Sequence, residues 1–522
     1  MRSIVSTPSR ITLGTGLTLV TMATNIIGQI VTVPVYLSRW NAETYGVWLI
    51  MIGAFGYVYL LSAAFQQYAY GEMLKAGAAS RDAVRTIYRT SLAMALVVAA
   101  TELTIVAVLT SDPFLAWVAP DLHDAPLFGA VVFSLLLYSV STFLIMPVKS
   151  ITAYANILHG HYPRVAAWVW VNSVFCLAGP TIAVLAGADF RTAAIVYVLA
   201  QVASILPALA HMLRLAWREG LLQPAPVVWR QGWSNALCSL PLAGRSFIDS
   251  FRQQGFRILL GANAGPIAVT TLATTRVFAN VLHQGLGTIT APLMPELMRY
   301  VIARDQDRTE GAFAVVWLFV FAMLVPGALA LCLLAEPIFV FWTRGAVAFD
   351  RVLFLMLLVV VLFYAASQPA AAILQGHNRI GWMIAAAVVA AVGLGIFAVL
   401  LVPPFGLLGA GFALLGAEIC AAAVTVAGAR RTLWGAGLVF PMRSFALVAS
   451  TAVAVFALGL PAVTLWADIS WAMALPFAAN AALAVLYWAT IPALARDRIR
   501  SFLGALRARL RGVARARPGE SE

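Results

Sequence analysis

Three arginines, Arg252, Arg257 and Arg276, lie inside apolar stretches of this sequence. A charge at the centre of a membrane helix costs about 2.5–3.5 kcal/mol on the insertion scale, and it survives where it faces the protein interior or water. Guanidinium forks match phosphate oxygens bidentately, so a cationic path suits an anionic cargo. The spacing adds to this. Arg245, Asp249, Arg252/Gln253 and Arg257 fall at i, i+4, i+7/i+8 and i+12, on one helical face, with Phe247, Ile248, Phe251, Ile258 and Leu259 on the others. In the next apolar segment Arg276, Asn280, His283/Gln284 and Gly287 repeat the pattern. Plainer readings exist for three members: Asp249 and Arg252 as an ion pair that eases insertion, and Arg245 as a snorkelling boundary residue. One Asp does not neutralise three arginines, so the stripe stays positive unless Glu102 or Glu418 faces it.

Milder polar stripes run through the first two apolar segments: Thr21, Asn25, Gln29 and Thr32, then Tyr59, Ser62, Gln66 and Tyr70. Helices one, two, seven and eight are therefore expected to surround a wet, cationic cavity. Its substrate contacts would be Arg276, Arg252, Arg257, Asn280, Gln284, Asn25 and Gln29. Glu102 and Glu418 are lone acids in the third and twelfth segments. With Asp249 they are the candidates for ion coupling, and either Glu reads equally as a structural acid held neutral by burial. No metal spacing is present. Cys176, Cys238, Cys332 and Cys420 read as small apolar fillers, and His161 and His377 as polar turn residues.

The elements that must position these groups are membrane helices. Hydrophobic residues make up 62% of the chain and charged ones 11%, and the mean hydropathy is +0.90, which excludes a soluble globular domain. About fourteen apolar segments recur, near 12–37, 45–69, 90–110, 127–149, 165–187, 192–213, 242–262, 266–292, 311–334, 352–373, 380–402, 406–428, 444–463 and 471–492. The breaks between them alternate in charge. Of 34 Lys and Arg, 27 fall in one set of breaks and four (Arg39, Arg191, Arg344, Arg351) in the acidic set, leaving the three arginines above. The positive-inside bias makes the basic set cytoplasmic, with both termini on that side. The N-terminal run is too long for a signal peptide and reads as the first helix. The net charge of +13 reads as topology plus attraction to anionic membrane lipids, and no nucleic-acid partner is expected.

The organisation follows as an N-lobe of six helices over 1–215, a cytoplasmic linker over 216–240, a C-lobe of six over 241–430, two further helices over 431–493 and a basic amphipathic tail over 494–522. Ile157-Leu158-His159-Gly160-His161 and Ile373-Leu374-Gln375-Gly376-His377 match at four of five positions at equivalent places in the two lobes. A six-helix unit repeated once keeps its orientation, giving parallel pseudo-symmetric bundles. The fold class is an all-α polytopic membrane protein: two six-helix bundles plus two extra C-terminal helices.

Three stretches carry a resemblance: QIVTVPVYLSRWNAETYGVW (Gln29–Trp48), ATTRVFANVLHQGLGTITAPLMPELMR (Ala273–Arg299) and ILQGHNR (Ile373–Arg379). Together with the segment count and the six-plus-six repeat, they resemble the polysaccharide-unit flippases (Wzx-type O-antigen and exopolysaccharide exporters) of the multidrug/oligosaccharidyl-lipid/polysaccharide superfamily. The resemblance covers roughly residues 10–430. It implies a V-shaped pair of bundles like that of the multidrug exporters, rocking between inward- and outward-open states in the bacterial inner membrane. The implied cargo is an oligosaccharide on an undecaprenyl-pyrophosphate carrier, with Arg276 at the family's cationic position in helix eight. It implies a transporter rather than an enzyme, with no cofactor, drawing on a proton or sodium gradient, alongside polysaccharide polymerase and chain-length proteins. The alternatives are a peptidoglycan-precursor flippase, a drug/cation antiporter of the same superfamily and, from another class, a membrane-embedded glycosyltransferase or polymerase. The first helix lacks any acid between Arg10 and Arg39, which departs from the drug antiporters. The interiors of helices one and two lack the cations expected of a peptidoglycan-precursor flippase. No external loop offers the paired acids an enzyme would need.

Overall fold

The computed structural model describes residues 8–77, 80–114, 127–251, 255–377, 379–464, 473–491 and Arg496, and among these it is helical with no strand. The basic tail beyond Arg496 lies outside the described residues. In chain order the helices are α1 Pro8–Leu37, α2 Ala42–Val58, α3 Leu60–Gly77, α4 Arg81–Leu109, α5 Phe128–Leu158, α6 Tyr162–Leu185, α7 Phe190–Arg218 and α8 Trp229–Ser250. There follow α9 Phe256–Ile302, α10 Gln306–Phe319, a π turn over Val320–Leu324, α11 Val325–Thr343, α12 Arg351–Gly376, α13 Ile380–Gly435, α14 Met442–Thr464 and α15 Ala474–Thr490.

Two of these runs turn within themselves and pass from one crossing to the next. The 47-residue α9 turns at Gly265 (φ 82°) and the 56-residue α13 at Gly406 (φ 55°), conformations that only glycine takes without strain. Among the described residues, eleven stretches are long and apolar enough to cross a membrane. One of them is α2 with α3 and another the whole of α13, and the short apolar α15 adds to them. The chain is an all-α polytopic membrane protein of about fourteen helices, as its apolar segments predict.

The helices begin where side chains satisfy the orphan N–H groups of a first turn. Asn41 accepts from Thr44 N at 2.8 Å, Ser80 from Ala83 N at 3.1 Å, Asp189 from Thr192 N at 3.1 Å and Asp305 from Arg308 N at 3.0 Å. Positive-φ glycines turn the chain at Gly160, Gly187, Gly220, Gly345 and Gly437.

Packing divides the chain into two units, 1–271 with 342–347, and 272–341 with 348–522. The boundary follows Thr271, later than the 216–240 break that charge and proline mark, because α8 packs on α3 and α4. Within unit 1, α6 lies between α1 and α7, and α5 packs on α4 and α7. Within unit 2, α12 is central, packed on α13 and α14, with α15 against α14. Its core gathers Phe313, Trp317, Phe321, Phe440 and Tyr487, and Trp317 Nε1 donates to Ala366 O at 3.0 Å.

The start of α2 approaches the Gly265 turn closely: a Cβ on Gly46 would sit 2.0 Å from the Pro266 carbonyl oxygen. Backbone cannot yield there as a flexible side chain would. Gly46→Val should destabilise the protein by about 1–3 kcal/mol or more, read as a lower melting temperature in detergent. An unchanged melting temperature would show that this approach is not tight.

Candidate functional site

The cationic stripe over 245–257 presupposes one continuous helix. The described part of α8 ends at Ser250 and α9 begins at Phe256, with π-helical geometry at Phe251 and Gly255. Arg252 and Gln253 lie outside the described residues, as do the side chains of Asp249, His283 and Gln284. Arg245 is exposed near the end of α8. The half-buried Arg257, in the first turn of α9, has the Tyr45 phenol as its electrostatic neighbour. Tyr45 is buried in the first turn of α2, and Thr270 Oγ1 donates to Ala42 O at 2.6 Å beside it. Arg257 thus lies near the start of α2, where that helix enters from the acidic break.

That entry is built from the Gln29–Trp48 stretch. Tyr36, Trp40, Trp48, Phe190 and Tyr197 stack edge-on or tilted, with ring centroids 5.0–6.4 Å apart. Trp40 Nε1 donates to Ala188 O at 3.1 Å and Trp342 Nε1 to Ile30 O at 2.7 Å. The stretch that carries the family resemblance therefore serves as an aromatic clasp at one end of unit 1.

Arg276 and Asn280 are half-buried, one turn apart on α9 in unit 2, next to the buried Thr274 and Thr275. Asn25 and Gln29 are exposed on α1, and Glu418 is half-buried in the second half of α13.

The stripe of Tyr59, Ser62, Gln66 and Tyr70 was expected to face water, and here the structure differs. Ser62 and Gln66 are buried. The membrane stretch 42–76 is broken at Tyr59, which separates α2 from α3, so the first N–H groups of α3 have no intrahelical acceptor. Glu102 of α4, 6% exposed, supplies one. It accepts from Ser62 N at 2.9 Å and from Ser62 Oγ. A carboxyl group at a helix N-terminus also meets the positive end of its dipole. Tyr59 Oη donates to Gln66 Oε1 at 2.7 Å, and Tyr70 stacks on Tyr154 of α5 at 4.9 Å. On the same helix as Glu102, Ala99 and Val106, three residues before and four after it, are buried in an apolar cluster with Val58 and Phe143. Among the described residues Glu102 has no ion pair.

Sequence reasoning missed Lys149. The charge alternation counts it with the basic breaks, yet it lies inside α5, nine residues before that helix ends at Leu158, half-buried and without an ion pair among the described residues. The signal was present: no acid or base, glycine or proline follows until His159 and Gly160. Missed too was the wiring of His161, between α5 and α6. Its Nδ1 faces Arg164 Nη1 at 2.9 Å and its Nε2 faces Glu219 Oε1 at 3.1 Å. Arg is only a donor, so Nδ1 accepts, Nε2–H donates to Glu219, and the ring is neutral. No group of metal-ligating side chains occurs among the described residues.

No protein-family model matches the chain, and no curated protein matches it by sequence. Solved structures do match by fold. A "Lipid II flippase MurJ, inward closed conformation" overlays with a TM-score of 0.62 at 12% identity, covering 93% of this chain and 99% of that one. An inward-facing multidrug resistance MATE family transporter of the MOP superfamily gives 0.60 at 12% identity, over 80% and 95% of the two chains. An outward-facing one gives 0.52 at 13%, over 82% and 96%. At such identities the likeness is one of fold, and the fold is that of MOP-superfamily transporters.

Two outcomes are expected. Glu102→Leu leaves the Ser62 N–H unsatisfied in an apolar setting and should cost about 1–3 kcal/mol, whereas Glu102→Gln keeps an acceptor and should cost less; thermal melts in detergent compare them. Burial lowers the His161 pKa, more than the Glu219 hydrogen bond raises it, and Arg164 lowers it further. The unfolded chain then binds the proton more readily, so the stability that His161 contributes is present above about pH 6.5 and is lost as pH falls below it. His161→Gln should flatten the dependence of melting temperature on pH between about 7.5 and 5; an identical slope would remove His161 as its source.

Proposed function

We propose that this chain is a flippase that carries an undecaprenyl-pyrophosphate-linked oligosaccharide across the bacterial inner membrane for lipopolysaccharide or exopolysaccharide synthesis. The lipid tail stays in the bilayer while the pyrophosphate and sugar cross by alternating access. Arg252, Arg257 and Arg276 supply the positive charge that meets the pyrophosphate, and Asn280, Gln284, Asn25 and Gln29 the polar contacts to the sugar. Asp249, Glu102 and Glu418 are the candidates for coupling to an ion gradient. Both termini lie on the cytoplasmic side, and the released unit passes to a polymerase.

The observation that carries this reading is the fold of a lipid-carrier flippase, matched over nearly the whole of both chains, in a sequence with arginines inside its apolar segments. A lipid-linked cargo is favoured over a drug by the larger share of this chain that the lipid II flippase covers, 93% against 80% for the inward-facing drug transporter. It is favoured too by the absence of an acid from the first helix between Arg10 and Arg39. A sugar unit is favoured over the peptidoglycan precursor because helices one and two carry no cation in their interiors.

Arg276→Ala should abolish surface polysaccharide while the protein remains folded and inserted, and Arg276→Lys should restore part of it, because the charge returns without the bidentate fork. The checks are polymer output in a strain depleted of the native protein, and detergent-extracted protein level. Normal output from Arg276→Ala would take this residue out of the transport path.

A further inference from the structure

The halves of α13 meet at the end where the basic breaks lie, and there they enclose a cleft of about 490 Å³ lined by Trp382, Ala427, Arg430, Arg431 and Trp434. Trp382 is in the first turn and the other four are in the last three turns. The cleft is built around a close contact. A Cβ on Gly428 would lie 2.8 Å from the Trp382 indole, so only glycine lets that ring lie against the second half of the hairpin. The Arg431 guanidinium sits 5.9 Å from the Trp382 ring centroid. Trp434 stands 77% exposed. Among the described residues neither arginine has an acidic partner, and no acid lines the cleft.

Below the cleft the same hairpin presents apolar surface. Val392, Ile396 and Val399 are exposed at intervals that place them on one helical face, a face that Trp382 begins. Ile419 is exposed on the second half, with Ala423 and Ala427 one and two turns above it towards Arg430. Tryptophan pairs mark the headgroup level of a bilayer, and basic pockets between helices take lipid headgroups. The counterpart hairpin of unit 1, α6 with α7, lacks the opening: Trp168 Nε1 donates to His211 Nδ1 at 3.0 Å and so engages the other helix directly.

We propose that this cleft holds the phosphodiester headgroup of a resident anionic phospholipid. Arg430 and Arg431 bind the phosphate oxygens, Trp382 and Trp434 flank the glycerol level, and the acyl chains lie along the exposed faces of α13. None of its residues is among those assigned to the cargo, and its test does not depend on what the cargo is.

The full-length protein in nonionic detergent is titrated with dioctanoyl phosphatidylglycerol, dioctanoyl phosphatidylcholine, a short polyprenyl pyrophosphate and inorganic phosphate, with binding read by thermophoresis. Phosphatidylglycerol should bind more tightly than phosphatidylcholine. The Arg430→Ala/Arg431→Ala pair should weaken it by roughly tenfold or more, the scale of two charge-assisted contacts, and Trp434→Ala should weaken it several-fold. Removing the same charge from unit 1, with Arg214→Ala/Arg218→Ala, should leave it unchanged. Equal losses from the two double variants would reduce the effect to general surface charge and overturn the proposal, as would no loss from either. If only the polyprenyl pyrophosphate, or inorganic phosphate as tightly as phosphatidylglycerol, depends on Arg430 and Arg431, the cleft serves the carrier or a free anion and not a phospholipid.

Discussion

Hydrocarbon offers no hydrogen bonds, so every interruption of a helix inside the membrane must be mended by the protein itself. This chain shows the rule at particular places. At Tyr59 the break between α2 and α3 is closed by Glu102, which takes the Ser62 N–H that the helix cannot use. At the π turn over Val320–Leu324 the buried Asn480 donates to the Phe321 carbonyl at 3.0 Å. At Gly265 and Gly406 the break is a full turn that begins a new crossing. Charged and polar side chains in the membrane are therefore of two kinds: those consumed in mending the backbone, and those left to meet something else. Glu102 belongs at least to the first kind.

Much of the fold was legible because membrane helices write themselves in hydropathy, and because breaks use glycine and capping residues. The gaps read between 262 and 266 and between 402 and 406 contain Gly265, and end at Gly406, respectively. Asn41, Asp189 and Asp350 cap where the apolar runs resume. The break at Tyr59 was illegible for a physical reason. The residues at the break, Val58-Tyr59-Leu60-Leu61, are ordinary membrane-helix residues, Gly56 before them lies within the helical run, and the break is stabilised by an acid forty positions from Ser62. A polar stripe at helical spacing looked wet because spacing reports only a shared face. It says nothing of whether the facing helix supplies a Glu102 or a Tyr154.

The candidate site was legible in part. Arginine within an apolar run is visible in any sequence, and Arg257 and Arg276 are on membrane helices. Their surroundings were not visible. The neighbour of Arg257 is Tyr45, more than two hundred residues away. Lys149 is hard to place because one basic residue at the end of an apolar segment reads as loop. The fold is shared by drug transporters and a lipid flippase, so fold alone does not choose the cargo; side-chain charge does.

The central claim is that the cargo is recognised through its pyrophosphate. Proteoliposomes carrying the full-length protein can be loaded with one fluorescent oligosaccharide on two carriers, undecaprenyl pyrophosphate and uncharged undecaprenol, and its movement between leaflets followed with an impermeant quencher. Protein-dependent flipping of the pyrophosphate-linked form, with the undecaprenol-linked form moving no faster than in empty liposomes, is the predicted result. Equal flipping of both, or transport of a lipophilic cation with neither lipid moved, would contradict it.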